Sequence, residues 1–181
     1  SQFGLPSAVV SAVGDDALGH ELVDNLTSKG LTHLLETVPY ATGTVQVEID
    51  QAGIPQYEIK ENVAWDNIPY TARLEALASR TRAVCFGSLA QRNVVTRNTI
   101  NRFLDAMPQT ADTLVVFDVN LRQGFYNKET LCNSMERCNI LKINDEELVT
   151  VSRMFGYPGI DLQDKCWILL GKYNLKMLIL T

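Results

Sequence analysis

A parallel α/β architecture is expected from three features of this 181-residue chain. Short, continuous apolar runs rich in Val, Ile and Leu alternate with segments whose apolar residues recur every three or four positions. Continuous runs of that kind suit strands buried on both faces, and the intervening periodicity suits the helices that cover them. Only residues 42–61 depart from this rhythm, changing to an alternation of period two that marks a hairpin with one apolar and one polar face. The composition, 46% hydrophobic and 20% charged, is that of a globular chain able to bury a sizeable core, not of a disordered or collagen-like one.

Taken in order, Ser7–Val13 is a Val-rich run expected as a strand. Gly14-Asp15-Asp16 turns the chain, with Asp16 suited to cap the following helix. In that helix Leu18, Leu22 and Leu26, with Val23, mark the expected core face, and Gly30 ends it. In the hairpin Val45, Val47 and Ile49 share one parity and Tyr57 and Ile59 another, separated by Gln51-Ala52-Gly53-Ile54-Pro55. Such a ribbon is unstable alone in water, so its apolar face is expected to cover the main domain, a ligand or a second subunit, as a flap. Helices are then expected at Thr71–Ser79, Val94–Ala106, Lys128–Cys138, Glu146–Phe155 and Leu162–Leu170. Strands are expected at Ala83–Phe86, Thr113–Phe117, Ile140–Ile143 and Lys176–Leu180. Residues 1–41 and 66–181 thus form an α/β core and residues 42–65 a β-hairpin lid.

Sixteen basic against 21 acidic residues give a net charge of −5. With no Lys/Arg run, neither nucleic acid nor an anionic membrane is the expected partner. The apolar stretches Ala8–Val13 and Leu175–Leu180 are far shorter than the roughly 20 residues of a membrane span. Cys85, Cys132, Cys138 and Cys166 match neither a zinc ribbon nor a CxxC pair. They are expected as reduced, mostly buried thiols of a soluble, cytoplasmic protein.

In a parallel α/β sheet, ligands collect beyond the carboxyl ends of the strands. Four places qualify: Gly14-Asp15-Asp16, Gly87-Ser88, Asp118-Val119-Asn120-Leu121-Arg122 and Asn144-Asp145-Glu146-Glu147. Asp118, Asn120 and Arg122 alternate, so an extended segment would aim a carboxylate, an amide and a guanidinium the same way, fit to hold a polyhydroxylated ligand. The competing reading is a turn capped by Asp118 and paired with Arg122. Asn144 and Glu147 have the spacing of a capping box at a helix start. They also have the chemistry to organise the water shell of Mg²⁺, and both readings stand open. His20 and His33 lack an evident nucleophile or ligand partner and are expected to be structural. Trp65 and Trp167 read most simply as packing residues, Trp65 with the option of lining a pocket. The loops of nucleotide P-sites, the GxSxG elbow and HExxH are absent from the sequence.

Together these segments resemble the ribokinase-like (PfkB-type) carbohydrate kinase family, and within it the fructokinase branch, along essentially the whole chain. Gly4 followed by Gly14 is similar to the close of that family's first signature, and Val13-Gly14-Asp15-Asp16-Ala17-Leu18-Gly19 to its strand-to-helix turn. Residues 41–65 fall where the family carries its β lid. Asp118-Val119-Asn120-Leu121-Arg122 is similar to its DxNxR segment, and Asn144-Asp145-Glu146-Glu147 to its NxxE motif.

The resemblance implies a partial three-layer α/β/α ribokinase-like core with a small β lid. It further implies an ATP- and Mg²⁺-dependent kinase acting on a primary hydroxyl of a hexose, with fructose preferred. Carried over by motif, Asn120 and Asp118 would face the sugar, Arg122 the sugar or the transferring phosphoryl group, Asn144 and Lys142 the nucleotide, and Glu147 the metal, while hairpin parity, not a motif, would let Tyr57 stack on the sugar from the lid. A homodimer through the lid is implied as well. The family's opening strand and sugar-binding Asp would precede Ser1, and its GxGD turn with the general base would follow Thr181. Residues 1–181 are therefore expected to be an internal portion, with no catalytic base, inactive by themselves, and with apolar sheet surface exposed. A sugar-binding or subunit-interaction module derived from a kinase is the alternative. Within enzymes, a 2-keto-3-deoxygluconate kinase or a ribokinase remains open.

Overall fold

The computed structural model describes residues 4–49, 53, 55–159 and 161–181. The chain divides into two compact units, residues Ser1–Tyr70 with Asn93–Thr99, and Thr71–Arg92 with Ile100–Thr181.

In the first unit, strand β1 (Val9–Gly14) leads through helix α1 (Ala17–Ser28) to strand β2 (His33–Val38). The two strands pair in parallel, from Val9↔His33 to Gly14↔Val38. Asp16 caps α1 by accepting the Gly19 N–H at 2.8 Å, as expected for a short acid before an apolar helical stripe. Strand β2 is not anticipated by the sequence reading. Its run His33-Leu34-Leu35-Glu36-Thr37-Val38 neither alternates nor stays apolar, and its ladder with β1 is a non-local gain no local pattern reports. Leu18 and Leu22 are a correction: at 50% and 40% exposed they lie on the outer side of α1 and not in a core. The buried cluster is formed instead by Ala12, Val38, Ala64 and Ile68, with Val10 against it. Ala64 comes from a 3-10 turn, Ala64–Asn67. Residues 63–68 are held there by hydrogen bonds from Asn67 Nδ2 to Val63 O, from Ile68 N to Thr96 Oγ1, and from Thr96 Oγ1 to Trp65 O.

Strands β3 (Val45–Ile49) and β4 (Pro55–Ile59) form the expected antiparallel hairpin. Apart from Gly53 and Pro55, its expected turn lies outside the described residues. The register sets Val45 opposite Ile59 and Val47 opposite Tyr57, so these side chains share one face of the ribbon. Val45, Val47, Ile49 and Tyr57 are all more than half exposed.

The second unit is built on a four-stranded parallel sheet in the order β5 (Ala83–Gly87), β6 (Leu114–Asp118), β7 (Ile140–Ile143), β8 (Met177–Leu180). Sequential order arises because each strand is followed by a helical crossover to its neighbour: α3 (Val94–Ala106), α4 (Lys128–Arg137), then α5 (Asp145–Phe155) with α6 (Leu162–Lys172). The short helix α2 (Ala72–Ala78) precedes β5, capped by Thr71. Phe117, Leu131, Met135, Leu141, Ile143, Leu148, Val151 and Leu169 are fully buried and form its core. Asn127, Asn144 and Asp161 cap α4, α5 and α6, and Gly156, left-handed at φ 69°, ends α5. Met177, Ile179 and Leu180 on β8 are exposed.

The thiols also depart from expectation. Only Cys138 is buried, while Cys132 and Cys166 are half-buried and Cys85 is exposed. Burial pushes the Cys138 thiol up to about 12. Iodoacetamide at pH 8 is therefore expected to leave Cys138 unmodified in the native chain and to alkylate it after unfolding, as read by peptide mass. Native alkylation at the rate of Cys85 would contradict this packing.

Candidate functional site

Six of the seven residues marked by sequence lie in the second unit, at the carboxyl ends of β6 and β7. Asp118 and Lys142 are register partners on these neighbouring strands. Lys142 Nζ approaches Asp118 Oδ1 at 3.2 Å, with both side chains about one-third exposed. That oxygen is buried and accepts no hydrogen bond of good geometry, so Asp118 is partnered mainly through charge. The pairing of Asp118 with Arg122 considered from the sequence gives way to this pairing with Lys142.

After Asp118 the chain does not stay extended. Asn120 is left-handed at φ 39° and Gln123 at φ 49°, a conformation that Asn tolerates better than most residues. Alternation therefore does not aim the three polar side chains in common. Three bonds hold the segment in this shape: Val119 N–H to Lys142 O at 3.0 Å, Ser88 Oγ to Asn120 O at 3.3 Å, and Leu121 N–H to Glu147 Oε1 at 2.8 Å. Val119 is fully buried beneath the segment, and Arg122 stands exposed with Nη1 donating to Leu121 O at 3.0 Å.

Glu147 carries the load. Asn144 Oδ1 accepts the Glu147 N–H at 2.8 Å and Glu147 Oε2 accepts the Asn144 N–H at 3.0 Å, the reciprocal capping box that the spacing suggests. Its remaining oxygen reaches across to Leu121. At 6% exposure, one carboxylate thus joins the start of α5 to the loop after β6. The three acids Asp145, Glu146 and Glu147 sit in the first turn of α5, where the helix dipole favours them.

Gly87-Ser88 is one of the four strand-end places that the sequence marks, and the sequence assigns Ser88 no role there. Ser88 is 1% exposed immediately after β5. Beside it the buried Gln91 donates to Gly87 O at 3.0 Å and Ser134 Oγ at 2.9 Å, tying β5 to α4. Tyr57 belongs to the first unit, on the hairpin face described above.

Among the described residues no group of three or more His, Cys, Asp and Glu side chains could hold a metal ion. Mg²⁺ asks for less than such a cage: it keeps several waters and takes one or two carboxylates with substrate phosphates. Asn144 and Glu147 suit that outer role, since Glu147 Oε1 accepts the Leu121 N–H and Oε2 the Asn144 N–H, and each oxygen has a second lone pair. His20 pairs with Asp15 at 3.2 Å and His33 meets Thr27 at 3.2 Å. No helix among the described residues is long and apolar enough to cross a membrane.

The family model described as pfkB family carbohydrate kinase matches residues 1–173. The chain belongs to the pfkB family of carbohydrate kinases. An uncharacterized sugar kinase of Pyrococcus horikoshii is 24% identical over 157 residues, covering 82% of this chain and 50% of that protein. An ATP-dependent 6-phosphofructokinase of Thermoanaerobacterium thermosaccharolyticum is 26% identical over 185 residues, covering 99% of this chain and 55% of that protein. Among solved structures, fructokinase from Vibrio cholerae aligns at a TM-score of 0.79 with 19% identity, covering 99% of this chain and 62% of the other. The Pyrococcus horikoshii kinase in complex with ATP aligns at 0.69 with 23% identity, over 83% of this chain and 51% of the other. These likenesses show the ribokinase-like α/β fold, and the chain spans about half the length of the relatives it matches.

Proposed function

We propose that this chain is part of an ATP-dependent sugar kinase that transfers the γ-phosphoryl group to a primary hydroxyl of a hexose, with fructose the preferred acceptor. The observation that carries this reading is the fixed seating of residues 118–122, held by Lys142, Ser88 and Glu147 at the strand ends where α/β folds bind ligands.

In this reading Asp118, Asn120 and Arg122 face the sugar and the transferring phosphoryl group. Lys142 and Asn144 face the nucleotide phosphates, and Tyr57 stacks on the sugar as the hairpin closes to exclude water. Mg²⁺, when bound with ATP, neutralises charge on the phosphates, and Asn144 and Glu147 would hold its water shell. The chain's part is positioning: a fixed backbone beneath the half-buried Asp118, Asn120, Lys142 and Asn144 and the exposed Arg122. A GxGD turn is absent from residues 1–181, whose single Gly-Asp pair is Gly14-Asp15. We take these residues to bind substrates without supplying the general base, and to be inactive alone. A cytoplasmic location follows from the same reading.

The hairpin's exposed apolar face supports a homodimer through the lid. Val47→Asp is expected to convert dimer to monomer in sedimentation at micromolar concentration, and an unchanged dimer would remove the lid from the interface. The whole reading is tested by coupled ADP release from the natural gene product with ATP, Mg²⁺ and a panel of fructose, ribose, 2-keto-3-deoxygluconate and fructose 6-phosphate. Fructose should give the highest kcat/KM. Saturable sugar binding without turnover would favour a non-catalytic binding or interaction module.

A further inference from the structure

The root of the hairpin is fastened from outside the hairpin. Asp16 Oδ1, which caps α1 through Gly19 N–H at 2.8 Å, also accepts the Thr42 hydroxyl at 2.7 Å. Asp16 Oδ2 accepts the Thr42 N–H at 2.8 Å. Thr42 Oγ1 in turn accepts the Gly14 N–H at 2.9 Å, and Thr42 is 9% exposed. Space at this point is fully used: a Cβ on Gly14 would stand 2.5 Å from Tyr40 O and 2.6 Å from Asp16 Oδ2.

The outgoing leg returns to the same place. Ala64 N–H donates to Ala41 O at 2.8 Å. The Trp65 indole lies across Gly43, where a Cβ would be 2.2 Å from Nε1. The Thr42 N–H, then the Gly19 N–H and the Thr42 hydroxyl, with His20 adding to them, hold the Asp16 carboxyl below its usual range. At neutral pH it is therefore an anion in the folded chain. A two-stranded ribbon with an exposed apolar face has little to fix its direction except its root.

We propose that Asp16 is the positioning residue of the lid: its carboxylate fixes the incoming leg at Thr42 to the turn between β1 and α1 and so sets the attitude from which the hairpin closes. The proposal rests on the reading of the hairpin as a lid. In Asp16→Asn the amide keeps one acceptor for Gly19 but turns an N–H₂ toward the Thr42 N–H, donor against donor. Thr42→Val removes the hydroxyl and leaves the α1 cap intact.

The test uses the full chain without sugar or nucleotide, so that it addresses the root alone. Protection of Lys60 by fructose and ATP is the separate measure of lid closure. Trp167→Phe leaves Trp65 as the single tryptophan, and Lys60 is the one tryptic site between Thr42 and Tyr70. Asp16→Asn and Thr42→Val should each raise the rate of cleavage at Lys60 about tenfold and shift Trp65 emission to the red. Thr42→Ser should restore both, and the double variant should be no worse than the more severe single one. Should Asp16→Asn fail to fold, the Thr42→Val and Thr42→Ser pair makes the same comparison. Cleavage within about twofold of the parent in the single variants, or additive effects in the double variant, would overturn the proposal.

Discussion

Glu147→Ala is expected to lower the stability of the second unit by about 3–5 kcal/mol, because it leaves two backbone donors, Leu121 N–H and Asn144 N–H, without their charged acceptor. Asn144→Ala, which removes only the cap, should cost about 1 kcal/mol. The inequality carries the argument, since a capping box alone would make the two variants alike. Denaturant midpoints measure the difference, and the Leu121 amide proton should move upfield in Glu147→Ala but not in Asn144→Ala. Loss of stability within about 0.5 kcal/mol of parent would contradict the reading of Glu147 as the tie between the loop after β6 and the start of α5. If the tie holds, sugar affinity in the natural protein should also fall, since the seat of Asn120 and Arg122 goes with it.

The second large effect is steric. Gly19 lies inside α1, where glycine costs roughly 1 kcal/mol relative to alanine, so helix propensity alone favours Gly19→Ala. Contact decides otherwise: a Cβ there would stand 2.3 Å from Gly14 O and 2.9 Å from Thr42 Oγ1. The first of these is backbone, which cannot swing aside. The substitution is expected to destabilise the first unit by about 3 kcal/mol and to increase cleavage at Lys60. Gly171→Ala is the control, because a Cβ at Gly171 near the end of α6 meets nothing within 4 Å. It should be neutral or stabilising by up to about 1 kcal/mol. A tolerated Gly19→Ala would mean that the β1–α1 turn has another arrangement.

Where local chemistry dictates structure, the sequence was readable. The bounds of α3 and β7 follow from their apolar periodicity, and Asp16 and Asn144 cap the helices that their spacing announces. Parity in the hairpin correctly groups Val45 with Val47 and Tyr57 with Ile59, and the register adds that both groups share a face. What escaped depends on distant partners. Strand β2 exists through its ladder with β1, and the Leu18–Leu22 stripe announces an apolar face without saying whether anything covers it. Alternation of Asp118, Asn120 and Arg122 suggested an extended segment, but the left-handed turn at Asn120 is stabilised from Ser88, Lys142 and Glu147, residues 22 or more positions away. The DxNxR and NxxE segments were visible as separate motifs. That a single carboxylate joins them became visible only in the fold.

Phosphoryl transfer itself tests the central claim most directly. The natural gene product carrying these residues should release ADP from ATP and Mg²⁺ in a fructose-dependent manner, form a fructose monophosphate detectable by mass, and lose that turnover in Arg122→Ala with its fold intact. Absence of turnover with every sugar of the panel, from material that is folded and binds ATP, would contradict the kinase reading and leave a binding module on a kinase fold.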